Sequence, residues 1–330
     1  MKKLSTLSTM ALGGDSHSHI ILSSDQLLDF FSEQKNKNWM ILGEGSNTVF
    51  GENNRNLTIL QISNKEITIE GKDDTRVQLR AETALSWDSL VEYCVENYFA
   101  GIEALSSIPG SVGAAPVQNI GAYGAEFADA CLEVDVFDTH DCVYKTFTKE
   151  DCEFSYRNSI FKKDKKRYIV ISVLLELSLS KTASVPDYPG VSELLKGENA
   201  NISDIRNTIS SIRASKLPNP KEIANCGSFF KNSILSKEEY KSRKEKLEKA
   251  PVYETEDGFK VSAAWLIDQA GLKGFCVGDM CTSSKHALVI INKGKGTFSD
   301  FQELIHVIIS SVESKFDITL EPEVQIVNNI

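Results

Sequence analysis

Apolar side chains recur along much of the chain at helical spacing, three and four residues apart. Residues 86–99 place a set of them on one predicted helix face, namely Trp87, Leu90, Val91, Cys94, Val95 and Tyr98, with Ser86 as the predicted N-cap. Similar spacing predicts helices over 203–214, 262–271 and 297–316, the last with Ser299 as N-cap. A charged, exposed helix is predicted over 235–250.

Other stretches are continuously apolar or alternate between apolar and polar residues, which favours strands. They are residues 39–50, in which a strand enters a glycine turn, and residues 57–62, 77–81, 132–139, 143–147, 167–179 and 318–327. The turn-rich segment 181–201 between elements is predicted to be a connector or a mobile lid. This order of elements predicts an α+β protein with mixed sheets.

Charge and composition narrow the classes of function. The chain has 330 residues and a net charge of −10, which argues against a broad nucleic-acid surface but allows one small anionic ligand in a local basic pocket. No window is long enough for a membrane-spanning helix. The apolar run after Lys2 and Lys3 is broken by serines and threonines, so we interpret it as the first segment of a cytoplasmic protein rather than a secretory signal.

The seven cysteines are scattered and form no C-x-x-C pair. This spacing favours reduced thiols in a cytoplasm over a disulfide framework or a zinc site. His17 and His19 lack an obvious partner cluster, so no metal site is predicted.

Two glycine-rich turns point to an anionic cofactor. In "GEGSN" (43–47), Gly43 and Gly45 permit close backbone approach, and Ser46 and Asn47 add donors. The segment 105–126 contains "PGSVG" (109–113) and "NIGAYG" (119–124). Together they predict a dinucleotide held along its pyrophosphate from two sides, although two Pro/Gly corners packed on each other remain an alternative. The G-x-G-x-x-G pattern of a standard nicotinamide domain is absent from "GEGSN".

A few polar residues in unusual settings are candidates for chemistry. Arg157 stands among apolar neighbours and could pair with a carboxylate. Ser228 lies between a glycine and two phenylalanines, where an ordinary turn or cap serine is the alternative. Glu321 and Glu323 would share one face of a regular strand, and only one of them need be functional.

Taken together, these motifs resemble the UDP-N-acetylenolpyruvoylglucosamine reductase (MurB) family from about residue 8 to 328. The matching segments, in family order, are "ILGEGSNTVF", "GIEALSSIPGSVGAAPVQNIGAYGAE", "FSYRNSIFK", "SKLPNPKEIANCGSFFKN", "AAWLIDQAGLKG", "ALVIIN" and "LEPEVQIV". The resemblance implies the FAD-binding fold of the vanillyl-alcohol-oxidase type, with two α+β subdomains, plus an α+β substrate-binding domain.

The implied domain limits are 1–65 for the first FAD-binding subdomain, with the strand 318–330 returning to it. The second subdomain covers 66–202, including the substrate loop 181–201, and the substrate-binding domain covers 203–317.

The family reaction implies the cofactors and their binding residues. Non-covalent FAD, reduced by NADPH, converts UDP-N-acetylglucosamine enolpyruvate to UDP-N-acetylmuramate in peptidoglycan synthesis. The FAD contacts implied by the resemblance are Gly43, Gly45, Ser46, Asn47, Pro109, Gly110, Ser111, Val112, Gly113, Gln118, Asn119, Gly121 and Ala122. The absence of a separate nicotinamide fingerprint leads us to expect that NADPH and the sugar substrate use one cleft in turn.

The resemblance also implies roles for the polar candidates. Ser228 is the proton donor, assisted by a cation such as Lys216 or by a water relay, while Arg157 and Glu323 hold the enolpyruvyl carboxylate and stabilise the transition state. Glu323 would serve as the acid if burial raised its pKa.

The implied substrate-binding residues are Tyr123, Tyr188, Lys216, Asn232 and Lys273. The chain departs from the usual family pattern at Ser283 and His286, which puts the contact with uridine in doubt. No metal, nucleic acid or membrane is implied, and we expect a cytoplasmic monomer.

Two other functions on this fold each predict a feature that the sequence can be checked for. A flavin oxidase on the same fold often attaches FAD through a histidine, and none occurs in 40–50 or 105–126. An inactive relative that binds FAD or a UDP-sugar as a sensor predicts loss of Arg157, Ser228 or Glu323, all of which are present.

Overall fold

The computed structural model describes residues 2–33 and 38–328. The chain forms two compact units, one made of residues 17–44 and 56–213 and the other of residues 1–16, 45–55 and 214–330. We call them the middle unit and the terminal unit. The division into three domains predicted from the resemblance stays a prediction.

The middle unit contains a small parallel sheet and a larger antiparallel sheet. The parallel sheet has the order Ser18–Leu22, Thr58–Ile62, Trp39–Ile41. The larger sheet has the order Val143–Thr148, Cys131–Asp138, Tyr168–Leu179, Arg76–Glu82, Ile67–Lys72, and Phe99–Ala100 pairs with its central strand. Two short hairpins pair Gly121–Ala122 with Ala125–Glu126 and Thr182–Ser184 with Asn199–Asn201.

Helices cover the faces of these sheets because their apolar stripes match the apolar strand residues. The α-helices of the middle unit are Leu27–Glu33, Trp87–Glu96, Phe127–Ala130, Ile160–Lys163, Ser192–Leu195 and Ile202–Lys216, the last running into the terminal unit. Short 3₁₀ turns are Ser24–Gln26, Glu103–Leu105 and Val112–Ala114. The helix Trp87–Glu96 packs Trp87, Leu90 and Val91 into the main core of this unit.

The terminal unit combines two antiparallel sheets with a parallel strand pair. One sheet has the order Ala224–Ser228, Val289–Asn292, Met280–Thr282, Cys276–Val277, and the other has the order Ser233–Leu235, Gly258–Val261, Val252–Thr255. The parallel pair joins Gln325–Val327 to Thr48–Phe50. The helices are Leu4–Thr6, a 3₁₀ turn, and Lys237–Arg243, Ala263–Gln269 and Phe298–Phe316.

Several predicted elements need correction. The helix predicted over 86–99 ends at Glu96, and Tyr98 lies beyond it with a φ of 60° and is 47% exposed, so it is not part of the buried face. The N-cap of the last helix is Thr297, whose hydroxyl accepts from the Asp300 N–H, rather than Ser299. The charged helix is only Lys237–Arg243.

The expectation of reduced thiols throughout is wrong, because Cys276 and Cys281 form a disulfide across the pair of strands in which they are directly opposed. Cys94, Cys131, Cys142, Cys152 and Cys226 are free. A C-x₄-C spacing bridges only when the chain turns back sharply, and here the turn around Gly278 brings the two residues into register.

Candidate active site

Residues 109–113 are fixed in the middle unit by backbone hydrogen bonds. The Val112 N–H donates to the Leu85 carbonyl at 2.8 Å, and the Gly113 N–H donates to the Thr83 carbonyl at 2.9 Å. The N–H groups of Val112 and Gly113 are therefore engaged by backbone carbonyls and do not point to an anion. Pro109 itself has no N–H group.

The start of the segment already binds a negatively charged oxygen. The Gly110 N–H donates to the Glu44 carboxylate at 3.2 Å. Gly43 packs so closely on this segment that a Cβ there would lie 2.6 Å from Ser111 Oγ. A backbone N–H that donates to a carboxylate, next to a glycine without a side chain, could donate to one phosphate of a dinucleotide in place of Glu44. Glu44 was missed from the sequence because only the fold brings it to Gly110.

The second glycine turn is built by Asn119, which is buried and has a φ of 44°. Its amide nitrogen donates to Glu126 at 2.6 Å, and its side-chain oxygen accepts from the Ala128 N–H at 3.0 Å. The side chain of Asn119 therefore shapes the turn. The half-buried Gln118 precedes it, and Gly121 and Ala122 form one strand of the hairpin that follows.

Arg157 is held against this second turn. Its guanidinium donates to the Gly121 carbonyl at 2.6 Å and to the Asn119 carbonyl at 3.4 Å. Its backbone has a φ of 53°, and its carbonyl accepts from Lys162 Nζ at 3.0 Å. The structure thus brings the predicted carboxylate-binding arginine and the predicted cofactor turn into direct contact.

The two tyrosines predicted to bind substrate meet in the middle unit. Their rings pack edge to face, with centroids 5.0 Å apart between Tyr123 and Tyr188. Burial raises the pKa of the Tyr123 hydroxyl, and the nearby positive charge of Arg213 opposes that rise. Tyr188 lies in the 181–201 segment and is 39% exposed.

Ser228 and Glu323 come together in the terminal unit. Ser228 is the exposed last residue of its strand and is followed by the fully buried Phe229. The Glu323 N–H donates to the Phe229 carbonyl at 2.8 Å, which places the half-buried Glu323 beside the serine. Glu321 is exposed and lies near Lys231, at 3.5 Å between Nζ and a carboxylate oxygen. Of the two glutamates, Glu323 is therefore the better placed to act with Ser228.

The end of the "GEGSN" turn joins this pair. The Gln325 N–H donates to the Asn47 carbonyl at 3.0 Å, and Asn47 Nδ2 donates to the Glu323 carbonyl at 3.4 Å. Gly45 has a φ of 69° and lies so close to the Leu7 carbonyl that a side chain would overlap it. Ser46, between them, is half-buried.

A cluster of basic residues lies elsewhere in the terminal unit. Burial and the positive charges of Lys216 and Lys273 lower the pKa of His286, so these three side chains share one neighbourhood. His286 belongs to the turn that joins Thr282 to Val289, and Val289 is the register partner of Ser228. The residue at the departure from the family pattern is therefore close in the fold to the predicted phosphate-binding lysines.

Asn232 has a structural role as well. Its side-chain oxygen accepts from the Ala263 N–H at 3.0 Å, at the start of the helix Ala263–Gln269. Its substrate contact stays a prediction, and the Ala263 N–H holds its side-chain oxygen in place.

A separate cavity of about 560 Å³ in the middle unit is lined by none of these predicted residues. Its walls include Asp25, Asp29, Asp135 and Tyr144. Within residues 2–33 and 38–328, no group of three or more potential metal ligands occurs, and no helix has the length and apolar character to cross a membrane.

Comparisons with known proteins identify the class. Residues 26–145 match the family model described as "FAD binding domain", and residues 219–327 match "UDP-N-acetylenolpyruvoylglucosamine reductase, C-terminal domain". The chain is thus an FAD-binding oxidoreductase with an α+β fold, as predicted.

The relatives define the family. A UDP-N-acetylenolpyruvoylglucosamine reductase of Aliivibrio fischeri is 39% identical over 92% of this chain and 86% of its own length. Another of Amoebophilus asiaticus is 36% identical over 98% and 97%. The crystal structure of the Thermus caldophilus MurB reductase superposes with a TM-score of 0.68, at 22% identity, over 99% of this chain and 97% of that one. The chain belongs to the UDP-N-acetylenolpyruvoylglucosamine reductase family.

Proposed function

We propose that this chain reduces UDP-N-acetylglucosamine enolpyruvate to UDP-N-acetylmuramate with FAD and NADPH, in peptidoglycan synthesis. The observation that supports the proposal is the backbone hydrogen bond from Glu323 to the carbonyl of Phe229, the residue that follows Ser228. The FAD-binding fold supports the flavin chemistry of this reaction. The basic cluster at Lys216, Lys273 and His286 suits the substrate, which carries a diphosphate.

The cofactor site supplies the redox chemistry. A bound flavin would supply the hydride chemistry that links NADPH to the enolpyruvyl group. The Gly110 N–H, which donates to a carboxylate in this structure, is a donor for one of its phosphates. Gly43 keeps that approach open.

Arg157 provides the positive charge for the enolpyruvyl carboxylate. Hydride addition to the vinyl ether places enolate-like charge next to that carboxylate, and a fixed guanidinium stabilises it without reorganising. The carbonyls of Gly121 and Asn119 fix the guanidinium from one side, so the group is positioned before substrate arrives.

Ser228 delivers the proton to the carbon beside the carboxylate. A serine hydroxyl is a weak acid, so it needs a nearby cation or a water relay, and Lys216 is the candidate cation. Glu323 polarises the same region and is the alternative acid. Ser228 is held by its strand pairing with Val289, and Glu323 by its backbone hydrogen bond to the Phe229 carbonyl.

NADPH and a UDP-sugar are cytoplasmic metabolites, so we place the enzyme in the cytoplasm and expect a monomer. The alternatives, another flavin oxidoreductase or an inactive relative, are favoured by no observation. Arg157, Ser228 and Glu323 are all retained, and the similar relatives described above bear one reductase name.

The test is turnover by the purified, FAD-loaded protein. NADPH oxidation should depend on added UDP-N-acetylglucosamine enolpyruvate, and mass spectrometry should find a product heavier by two hydrogen atoms. The proposal would be overturned if the rate of NADPH oxidation were the same with and without the sugar nucleotide and no such product formed.

A further inference from the structure

One face of the helix Ile202–Lys216 holds the start of the glycine-rich segment. Arg206, Ser210 and Arg213 share that face because they are four and three residues apart. Arg206 donates to both carboxylate oxygens of Asp88, at 2.6 and 3.1 Å. Ser210 Oγ lies 2.8 Å from Ser107 Oγ, and Arg213 Nε donates to the Ser107 carbonyl at 3.1 Å.

Ser107 needs these contacts because its backbone is left-handed, with a φ of 59°. A residue with a side chain adopts that conformation only where its surroundings compensate the cost. The Ser107 N–H donates to Asp88 at 2.6 Å, so its N–H, carbonyl and hydroxyl groups are all bound to one network.

Arg213 also reaches the far end of the glycine-rich segment. Its guanidinium also interacts electrostatically with the hydroxyl of Tyr123, which has a φ of 53°. Arg213 therefore links Ser107, in the first turn of the glycine-rich segment, to the hairpin that contains Tyr123. The planar guanidinium can donate in two directions at once, which an ammonium group on a flexible stem does less well.

Tyr123 in turn contacts the 181–201 segment. Its ring packs edge to face on Tyr188, and it packs against an apolar cluster that contains Val191 of that segment with Ile205 and Ile209 of the helix. The position of the Tyr123 ring therefore determines how the Tyr188 ring packs.

We propose that Arg213 is a positioning residue for substrate binding, which fixes Tyr123 beneath Tyr188 and ties both to the first turn of the glycine-rich segment. The role rests on the proposed function and on the substrate contacts that the family resemblance implies for both tyrosines. Arg213 acts through them and touches no reacting atom.

The experiment compares Arg213→Gln, Tyr123→Phe and the double variant as FAD-loaded enzymes. A hydrogen bond to a charged group is worth roughly tenfold in an equilibrium, so each single variant should raise KM for UDP-N-acetylglucosamine enolpyruvate about tenfold while kcat changes less than about threefold. Because both variants remove the contact between Arg213 and Tyr123, the double variant should raise KM little further. Arg213→Lys should not restore KM.

Ser210→Ala is the matched control. It removes the contact with Ser107 from the same helix face without touching Tyr123, so KM should stay within about twofold of the wild type. An unchanged KM in Arg213→Gln, or rises that multiply in the double variant, would overturn the proposal.

A second readout does not depend on turnover. Trypsin cleavage after Lys196, followed by mass spectrometry, reports the mobility of the 181–201 segment. It should accelerate in Arg213→Gln and Tyr123→Phe but not in Ser210→Ala. If the wild type fails to reduce the sugar nucleotide, the proposed function fails, and these cleavage rates still decide whether Arg213 holds the segment. Equal rates in all variants would refute that role.

Discussion

Replacing Gly121 with alanine tests whether the position of Arg157 controls turnover. A Cβ at Gly121 would lie 2.8 Å from Arg157 Nη1, closer than real Cβ contacts occur. It would also lie 3.0 Å from the Ala125 carbonyl oxygen. The new methyl group must therefore displace the guanidinium, the hairpin or both.

The expected loss follows from the size of the displacement. To restore ordinary van der Waals contact, the guanidinium would have to move by a large part of about 1 Å. A misplacement of about 1 Å can lower the rate about a hundredfold. Complete removal of a transition-state donor costs about a hundredfold to a thousandfold. Gly121→Ala should therefore lower kcat/KM by roughly thirtyfold to a hundredfold.

The assay is steady-state NADPH oxidation with UDP-N-acetylglucosamine enolpyruvate, alongside flavin content and Tm. Gly124→Ala is the control in the same turn, because a Cβ there meets nothing within 4 Å but the backbone φ is +85°. That variant should lose about 1–2 kcal/mol of stability through backbone strain and keep kcat/KM near the wild-type value.

A combined variant gives the decisive comparison. In an Arg157→Ala background, Gly121→Ala should have little further effect, since the group that it displaces is gone. The reasoning is refuted if Gly121→Ala retains kcat/KM within about threefold of the wild type, or if it lowers the rate equally with and without Arg157.

Three further predictions concern the proton donor, the disulfide and one ion pair. Ser228→Ala should lower kcat about a hundredfold to ten-thousandfold while NADPH still bleaches the bound flavin, which stopped-flow spectroscopy would check. The double variant Cys276→Ser/Cys281→Ser should lose about 2 kcal/mol in urea unfolding, the amount expected for closing so short a loop, and wild type treated with a dithiol should match it. Burial opposes ionisation of Asp88, but its hydrogen bonds with Arg206 leave the pKa of its carboxyl below the usual range. The carboxylate therefore stabilises the fold above its ordinary pKa, so Asp88→Asn should cost about 1 kcal/mol at neutral pH, and the difference in unfolding free energy should shrink as the pH falls below about 4.

Local sequence patterns predicted most helices because apolar spacing and caps act over a few residues. Ser86 precedes its helix as expected, and Gly271, with a φ of 76°, follows the end of Ala263–Gln269. Tyr98 was misplaced because its side chain continues the helical spacing after the backbone has already left the helix.

The strand predicted over 318–327 shows where such patterns fail. Its alternation holds only in part, since Ile318, Leu320 and Val324 are buried in the core of the terminal unit but Ile326 is exposed. Of this stretch Gln325–Val327 forms a strand, and the residues just before it make an isolated bridge between Pro322 and Phe230 and hydrogen bonds to Phe229 and Lys231. Burial can be read from sequence, whereas the choice of hydrogen-bond partner depends on the whole fold.

The candidate site divides in the same way. Glycines and single polar residues could be picked from motifs, and the resemblance supplied their roles. The contact of Gly110 with Glu44, and the reach of Arg213 to both Ser107 and Tyr123, join segments far apart in the chain. No local spacing encodes such contacts, so only the structure reveals them.

The most direct test of the account is an anaerobic experiment on the flavin. The purified protein, with bound FAD bleached by NADPH, is mixed with UDP-N-acetylglucosamine enolpyruvate while the flavin absorbance is followed. We predict rapid return of the oxidised spectrum together with formation of UDP-N-acetylmuramate. A flavin that NADPH bleaches but that this substrate leaves reduced would contradict the account, and the turn containing Ser283 and His286 would then be the first place to look for a different acceptor.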